Sequence, residues 1–405
     1  MPAREFLAIG GQQVPITHPD KVVFGDIGVT KLDLMHYYAA VAEGALRGVR
    51  DRPMILKRFV RGIDQEAIFQ KRAPAKRPDF VGVAELRYKS GTSAEEAVLR
   101  DAAGLIWAVN LGCVDFNPHP VLADDLEHPD ELRVDLDPMP GVGWRQIIDV
   151  ALIARQVLTD HGLVAWPKTS GSRGFHIYAR IHRCWPFPLV RLAAEAVARE
   201  VARRAPESAT ARWWKEERHG VFVDFNQNAK DRTVASAYSV RATPDARVST
   251  PLFWDEVVGC RPEAFTVATV PQRFERLGDP WQGIDDAAGG LESLLELADQ
   301  LGPAQKSGRR AREATMPLIE IARTKTRDEA MKALQQWREI HPAAAEQLKP
   351  ADVLVDGMRG PSSIWYRVRI NLRHVAESER PPQEALLAEY SPWATYNGSQ
   401  QQRRG

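Results

Sequence analysis

Cysteine is scarce in this chain: its 405 residues hold Cys113, Cys184 and Cys260 and no others. An odd number of widely spaced thiols excludes a disulfide framework and a cysteine-rich zinc site, and fits a reducing compartment. Long apolar runs are missing too. Nothing approaches the ~18 consecutive apolar residues of a bilayer-spanning helix. The opening MPAREFLAIGG has no basic start leading into an apolar stretch, so the expected location is cytoplasmic and nucleoid-associated, with no membrane partner. An excess of one charge is also absent, since 54 Lys and Arg against 53 Asp and Glu leave a formal net charge of +1. No global field draws the protein onto nucleic acid, so any such grip has to come from local patches. No internal repeat is evident. With 44% hydrophobic and 26% charged residues, the chain can bury one large core and a smaller satellite domain.

What is present is a spacing of carboxylates. Residues 131–138 read ELRVDLDP and residues 221–226 read VFVDFN, both with the β-branched and aromatic content of short strands. Side chains alternate along a strand, so Asp135 and Asp137 share a face. Two carboxylates ~4 Å apart repel by roughly 4 kcal/mol at an effective dielectric of about 20, so a cluster formed with Asp224 stays ionised only around cations. Hard oxygen donors select Mg²⁺ or Mn²⁺, and a pair of such ions suits nucleotidyl transfer. An acidic strand end in solvent is the other reading of Asp-X-Asp. Between the aspartates lies Lys168-Thr169-Ser170-Gly171-Ser172-Arg173-Gly174-Phe175-His176-Ile177-Tyr178. Its glycines permit close backbone approach, while Ser170, Ser172, Arg173 and His176 offer donors to a triphosphate. A hairpin turn with a satisfied histidine would read the same way.

Residues 145–161 and 188–204 have helical spacing, with strand-like runs around Val164, Phe175 to Ala179 and Val221 to Phe225. Helices interleaved with antiparallel strands predict an α+β fold whose open sheet face carries the site. Past about Gly283 the texture changes: GLESLLELADQL over 290–301 is helical and stops at Gly302-Pro303. The basic run Lys306 to Arg312 reads as a solvated linker or a phosphate contact. Residues 315–340 are expected to form a helix or helix pair, with Leu318, Ile321, Leu334 and Trp337 as core candidates. Trp365 to Arg373 interleaves aromatics with arginines, a pattern of amphipathic packing or of nucleic-acid binding, and the tail SPWATYNGSQQQRRG is polar. The expected division is a catalytic domain over 1–300 and a mainly helical extension with a polar tail over 301–405.

DLDP, SGSRGFH, the VDFNQN run ending in Thr233, YSVRA and VSTPLFW occur in this order between about His18 and about Trp281. In that order they resemble the polymerase module of bacterial ligase D, a member of the archaeo-eukaryotic primase superfamily. The closest likeness is to stand-alone actinobacterial primase-polymerases, which carry no ligase or nuclease domain; no ligase Lys-X-Asp-Gly motif is seen. The resemblance implies a primase-polymerase core in which Asp135, Asp137 and Asp224 are the metal-binding catalytic carboxylates for two Mn²⁺ or Mg²⁺ ions. Ser170, Ser172, Arg173 and His176 match residues that hold the nucleoside triphosphate, and Gln227, Arg241, Lys57 and Phe69 match further nucleotide contacts. Arg241 could alternatively serve a structural salt bridge. Lys21 and Lys31 match lysines that grip the 5′-phosphate across a DNA gap, although surface lysines are usually only solvated. Two departures stand out. Ile68 replaces a frequent second phenylalanine, and Asp115 and Asn117 stand where a glutamate and a histidine are usual, which puts the sugar pocket in question.

The function this implies is a template-directed, metal-dependent repair polymerase in end joining or excision repair. It would fill short gaps, prefer ribonucleotides and recognise a downstream 5′-phosphate. Its expected partners are gapped or end-containing DNA, nucleoside triphosphates, and a separate ligase and end-binding protein. The alternatives are a primase acting de novo and a non-catalytic protein that synapses DNA ends.

Overall fold

The computed structural model describes residues 5–88, 91–303, 317–359 and 364–391. It divides into two compact units, Met1–Ala304 and Gln305–Gly405. The basic run 306–312 and the tail from 392 onward lie outside the described residues. Among the described residues, no helix is long and apolar enough to cross a membrane.

The centre of the first unit is a five-stranded sheet. Its strands are β1 (Glu131–Pro138), β2 (Trp166–Thr169), β3 (Phe175–Arg180), β4 (Ala209–Thr210) and β5 (Val221–Asp224). They lie in the order β2-β3-β1-β5-β4, antiparallel except for the β4–β5 pair. Strand β1 alternates as its sequence predicts. Leu132, Val134 and Leu136 enter a core with Ile177 and Val223, which is closed by the helices α1 (Trp144–Asp160) and α2 (Phe187–Arg204). Helix α1 buries Ile147, Ala151, Ala154 and Leu158 at helical spacing. Proline in the first turn of α2 loses no hydrogen bond there, and Val190, Ala194, Val197 and Val201 form the buried stripe. Each fully buried aliphatic side chain of this kind contributes about 1.5–3 kcal/mol.

The opposite face of the sheet belongs partly to a second core, built from the N-terminal half around Phe24, Leu34, Tyr38, Trp107 and Phe116, with Tyr178 of β3 joining it. Helices Lys31–Ala40 and Ala102–Asn110 pack there, and the first opens with a Thr30–Asp33 capping box. The hairpin Leu56–Arg58 with Ile68–Gln70 and the three-stranded sheet of Pro53–Met54, Ser93–Leu99 and Val81–Arg87 complete this half. Arg52, fully buried, forks onto both Asp130 oxygens at 2.6 Å and pins this half to the start of β1.

The second unit holds β6 (Leu318–Thr324), α3 (Arg327–Ile340), a short helix Pro342–Glu346, β7 (Val353–Arg359) and β8 (Ile364–Asn371). Its sheet runs β6-β8-β7, all antiparallel. The helical expectation for 315–340 holds from Arg327 and gives way before it: Leu318–Thr324 is a strand, so a sheet and helices share this unit. A Thr326–Glu329 capping box fixes where the helix starts, leaving the β-prone LIEIART outside. Ile321, Leu334 and Trp337 are buried with Val368 and Ile370, whereas Leu318 is half-buried. In β8, Arg369 pairs with Asp356 at 2.6 Å on the face opposite Val368 and Ile370, the amphipathic packing pattern.

Candidate active site

Strand register assembles the site. Lys168 lies opposite His176, His176 opposite Asp135, and Asp135 opposite Asp224. Directly paired residues point to one side of a sheet, so four side chains from β2, β3, β1 and β5 form a row across one face. Asp137, two residues beyond Asp135, joins the acidic end. Asp135, Asp137 and Asp224 each offer a carboxylate oxygen within 4.8 Å of the others. Asp135 is buried, Asp224 half-buried and Asp137 exposed at the rim.

Electrostatics follow from this crowding. Burial pushes the Asp135 carboxyl up to about 6, against the pull of Lys168 and Arg241. Asp137 keeps part of its side chain in solvent, but the protein packed around the rest of it, with repulsion from Asp135 and Asp224, pushes it up to about 7. Asp224 is raised as well, chiefly by burial, although the Asn226 N–H donates to one of its oxygens at 2.8 Å and Gln227 Nε2 to the other at 3.0 Å. Three carboxylates so placed fit a divalent cation: the donors are hard oxygens, and a cation among them would neutralise their mutual repulsion.

The turn joining β2 to β3 borders the acidic end. Ser170 Oγ accepts from the backbone N–H groups of Ser172 at 3.1 Å and Gly174 at 3.0 Å, which closes the turn on itself. Gly171 has φ +66°, and a Cβ there would lie 2.8 Å from Ser249 N. At Gly174 a Cβ would fall 2.0 Å from Leu136 O, so glycine is required at both positions. A cleft of about 270 Å³ results, lined by Asp135, Asp137, Ser170, Ser172, Arg173, His176, Gln227 and Arg241, together with Asn117. The structure therefore brings these sequence-identified residues to one place. Arg241 donates to Ser170 O at 3.2 Å, and Asn117 Nδ2 is buried without a partner among the described residues.

Other candidates lie outside the lining. Lys57 donates to the buried Asp115 at 3.0 Å, and Arg241 Nε lies 4.0 Å from the same oxygen, so Asp115 links the hairpin to the cleft wall. Phe69, opposite Lys57 on that hairpin, is 66% exposed, and Ile68 beside it is 53% exposed. Lys21 and Lys31 form a separate pair. The Lys31 ammonium is buried and donates to Thr17 Oγ1 and Asn110 Oδ1, both at 3.1 Å, while Lys21 donates to Val60 O. Burial, then repulsion from Lys21, lowers Lys31 to about 8.

Two residues escaped the sequence reading. Lys168 is 0% exposed and donates to Ala235 O at 2.8 Å and Ser249 Oγ at 2.6 Å, with His176 Nδ1 at 2.7 Å. Burial and Arg241 lower its proton affinity, and Asp135 opposes them. Arg218 lies 3.4 Å from the Phe222 ring centroid and helps to hold down the Asp137 and Asp224 carboxyls. Counting alternation back from Ser170 would have put Lys168 on the site face; nothing in ERHG distinguishes Arg218.

Comparison with known proteins sets this geometry in context. A family model described as LigD, primase-polymerase domain, matches residues 30–281. The multifunctional non-homologous end joining protein LigD of Pseudomonas aeruginosa is 32% identical over 273 residues, covering 66% of this chain and 32% of that protein. The LigD non-homologous end joining DNA repair protein of Mycobacterium tuberculosis is 32% identical over 295 residues, covering 68% and 37%. The chain thus spans about a third of the length of these relatives. Among solved structures, the polymerase domain from Mycobacterium tuberculosis ligase D in complex with DNA matches with a TM-score of 0.64 at 30% identity, covering 69% of this chain and 100% of that domain.

Proposed function

This chain belongs to the LigD primase-polymerase family, and on that premise we propose that it is a template-directed nucleotidyltransferase of DNA repair that fills short gaps. The observation that carries the reading is the Asp135, Asp137 and Asp224 cluster, set against a cleft whose other wall supplies Arg173, His176, Arg241, Ser170 and Ser172. A mixed-charge cleft of this kind suits a cation-bearing triphosphate. Two Mn²⁺ or Mg²⁺ ions held by the three aspartates would supply activation of the primer 3′-hydroxyl and charge stabilisation at the phosphates.

The residues of the chain supply the rest. The primer 3′-hydroxyl gives up its proton to solvent, its oxygen forms a bond to the α-phosphorus as the bond from that phosphorus to the oxygen bridging to the β-phosphate breaks, and pyrophosphate leaves. Arg173 and Arg241 bind and orient the triphosphate and stabilise charge growing on the leaving group, and Arg241 can fork onto two oxygens. Gln227 and the Asn226 N–H orient Asp224. Phe69, exposed on its hairpin, offers a ring for base stacking, and Asp115 holds Lys57 beside it. Lys21 and Lys31 are the pair for a 5′-phosphate: two ammonium groups close enough to repel gain most from a shared anion. Ribonucleotide preference and activation by Mn²⁺ are part of the proposal, supported by family resemblance, as are a separate ligase and end-binding protein as partners.

The test is the template dependence of single-nucleotide addition on gapped duplexes carrying each of the four template bases, with a 5′-phosphate or a 5′-hydroxyl downstream. The reading predicts addition of the complementary nucleotide, stimulated by the phosphate. Addition without regard to template would refute template-directed synthesis. No addition by folded protein that still binds gapped DNA would favour the end-binding alternative.

A further inference from the structure

Among the described residues of the first unit, Lys168 is the one lysine with no exposed surface, and it sits at the head of the row that ends in the metal-site carboxylates. An amine so placed has no route to solvent, and its Nζ meets three groups: Ala235 O at 2.8 Å, Ser249 Oγ at 2.6 Å and His176 Nδ1 at 2.7 Å. The Ala235 carbonyl can only accept. Ser249 Oγ gives its own proton to Thr169 O at 2.8 Å, so it too accepts from Lys168. The third partner is decided from the far side of the imidazole, where His176 Nε2 faces Asp135 Oδ1 at 3.3 Å. An ionised carboxylate has only lone pairs to offer, so Nε2 must carry the proton and Nδ1 the lone pair. Three acceptors then match the three N–H bonds of an ammonium.

We propose that Lys168 is a positioning residue for nucleotidyl transfer, which locks the His176 ring with Nδ1 toward itself and holds Nε2–H at the cleft edge, facing Asp135, where a triphosphate oxygen can take that hydrogen bond in its place. Ser249, Thr169 and Ala235 form the frame that fixes Lys168 in turn. The frame is tied to the site turn through the Thr169 hydroxyl, which accepts from Thr250 N at 3.0 Å and donates to Val248 O at 3.1 Å. The order of action is frame, lysine, imidazole, substrate. Lys168 itself never reaches the cleft, whose lining includes His176 but not Lys168. This inference rests on the polymerase reading for its catalytic consequence but not for its tautomer, so the two can fail separately.

The experiment reads both in the full chain. Long-range ¹⁵N–¹H correlation of the wild-type histidines, with His176 assigned by His176→Gln, is expected to show Nε2 protonated and Nδ1 accepting. A wild-type Nδ1–H tautomer would overturn the proposal, whatever any variant does. In Lys168→Met, which keeps chain length and removes the donor, the His176 signal should move toward a mixture of tautomers, and kcat/KM for gap filling should fall by on the order of 10-fold or more. Lys168→Met in the His176→Gln background should cost less than about twofold, because a residue acting through His176 has nothing left to position. Fully additive losses would assign Lys168 a purely structural role and sink the proposal. If Lys168→Met does not fold, Ser249→Ala loosens the same frame from outside and is expected to shift the same signal. Absence of gap filling by wild type with the Nε2–H tautomer intact would refute the polymerase reading and leave the tautomer lock standing.

Discussion

Divalent-cation binding should strengthen steeply with pH. A cation competes with protons for Asp135 and Asp137, because these carboxyls are pushed up to about 6 and about 7. Each group lowers the apparent affinity by one plus ten to the power of its pKa minus the pH. At pH 8 the two factors multiply to about 1, at pH 6 to about 20 and at pH 5 to about 1,000. The cluster titrates as a unit, so the slope belongs to the set and not to one residue. Isothermal titration with Mn²⁺ over pH 5–8, in buffers of different ionisation enthalpy, measures both the affinity and the protons released. At pH 6 on the order of one proton or more should leave per cluster saturated, and about none at pH 8. Asp137→Asn removes the steeper contribution and should reduce the pH 6 to pH 8 difference to about 2-fold, with weaker binding throughout. Affinity that stays flat across pH 6–8, or rises as pH falls, would refute the reasoning.

Further expectations concern stability and substrate use. In chelator at pH 8, Asp137→Asn should raise the melting temperature, because it relieves carboxylate repulsion by about 1 kcal/mol, while with Mn²⁺ restored it should abolish gap filling; a lowered melting temperature would contradict the crowding. The same pressure should make the metal-free wild type more stable as pH falls from 8 toward 6, since carboxyls raised in the fold cost most when ionised. Gly171→Ala places a Cβ 2.8 Å from Ser249 N at φ +66° and should destabilise by about 1–3 kcal/mol with loss of triphosphate binding, measured by chemical denaturation and nucleotide titration. Phe69→Ala should leave stability within about 0.5 kcal/mol while weakening nucleotide and template binding by about 1–3 kcal/mol. Lys21→Ala should weaken use of 5′-phosphorylated gaps and spare extension on an open primer-template; equal loss on both would sink the assignment.

Legibility in the sequence followed how local each feature is. Alternation in ELRVDLDP puts Asp135 and Asp137 on one face, and β1 does place them so. The helical spacings of 145–161 and 188–204 meet helices Trp144–Asp160 and Phe187–Arg204 within a residue. The row itself depends on register between strands separated by whole helices, which no local pattern carries. Lys168 was hidden for this reason: in WPKT a lysine reads as a solvated residue, and only the neighbours β3 and Ser249 make it an interior donor. Leu318–Thr324 was ambiguous in another way. A seven-residue apolar-rich run before a helix fits either period, and pairing with Ile364–Asn371 decides for strand.

The central claim is that the carboxylate row performs nucleotidyl transfer, and single-turnover addition of one nucleotide to a gapped duplex by wild type and Asp137→Ala, with Mn²⁺ present, tests it most directly. The account predicts addition by wild type and loss of at least about 1,000-fold in the variant, with gapped-DNA affinity retained. Equal rates for the two proteins would contradict it and move the chemistry elsewhere.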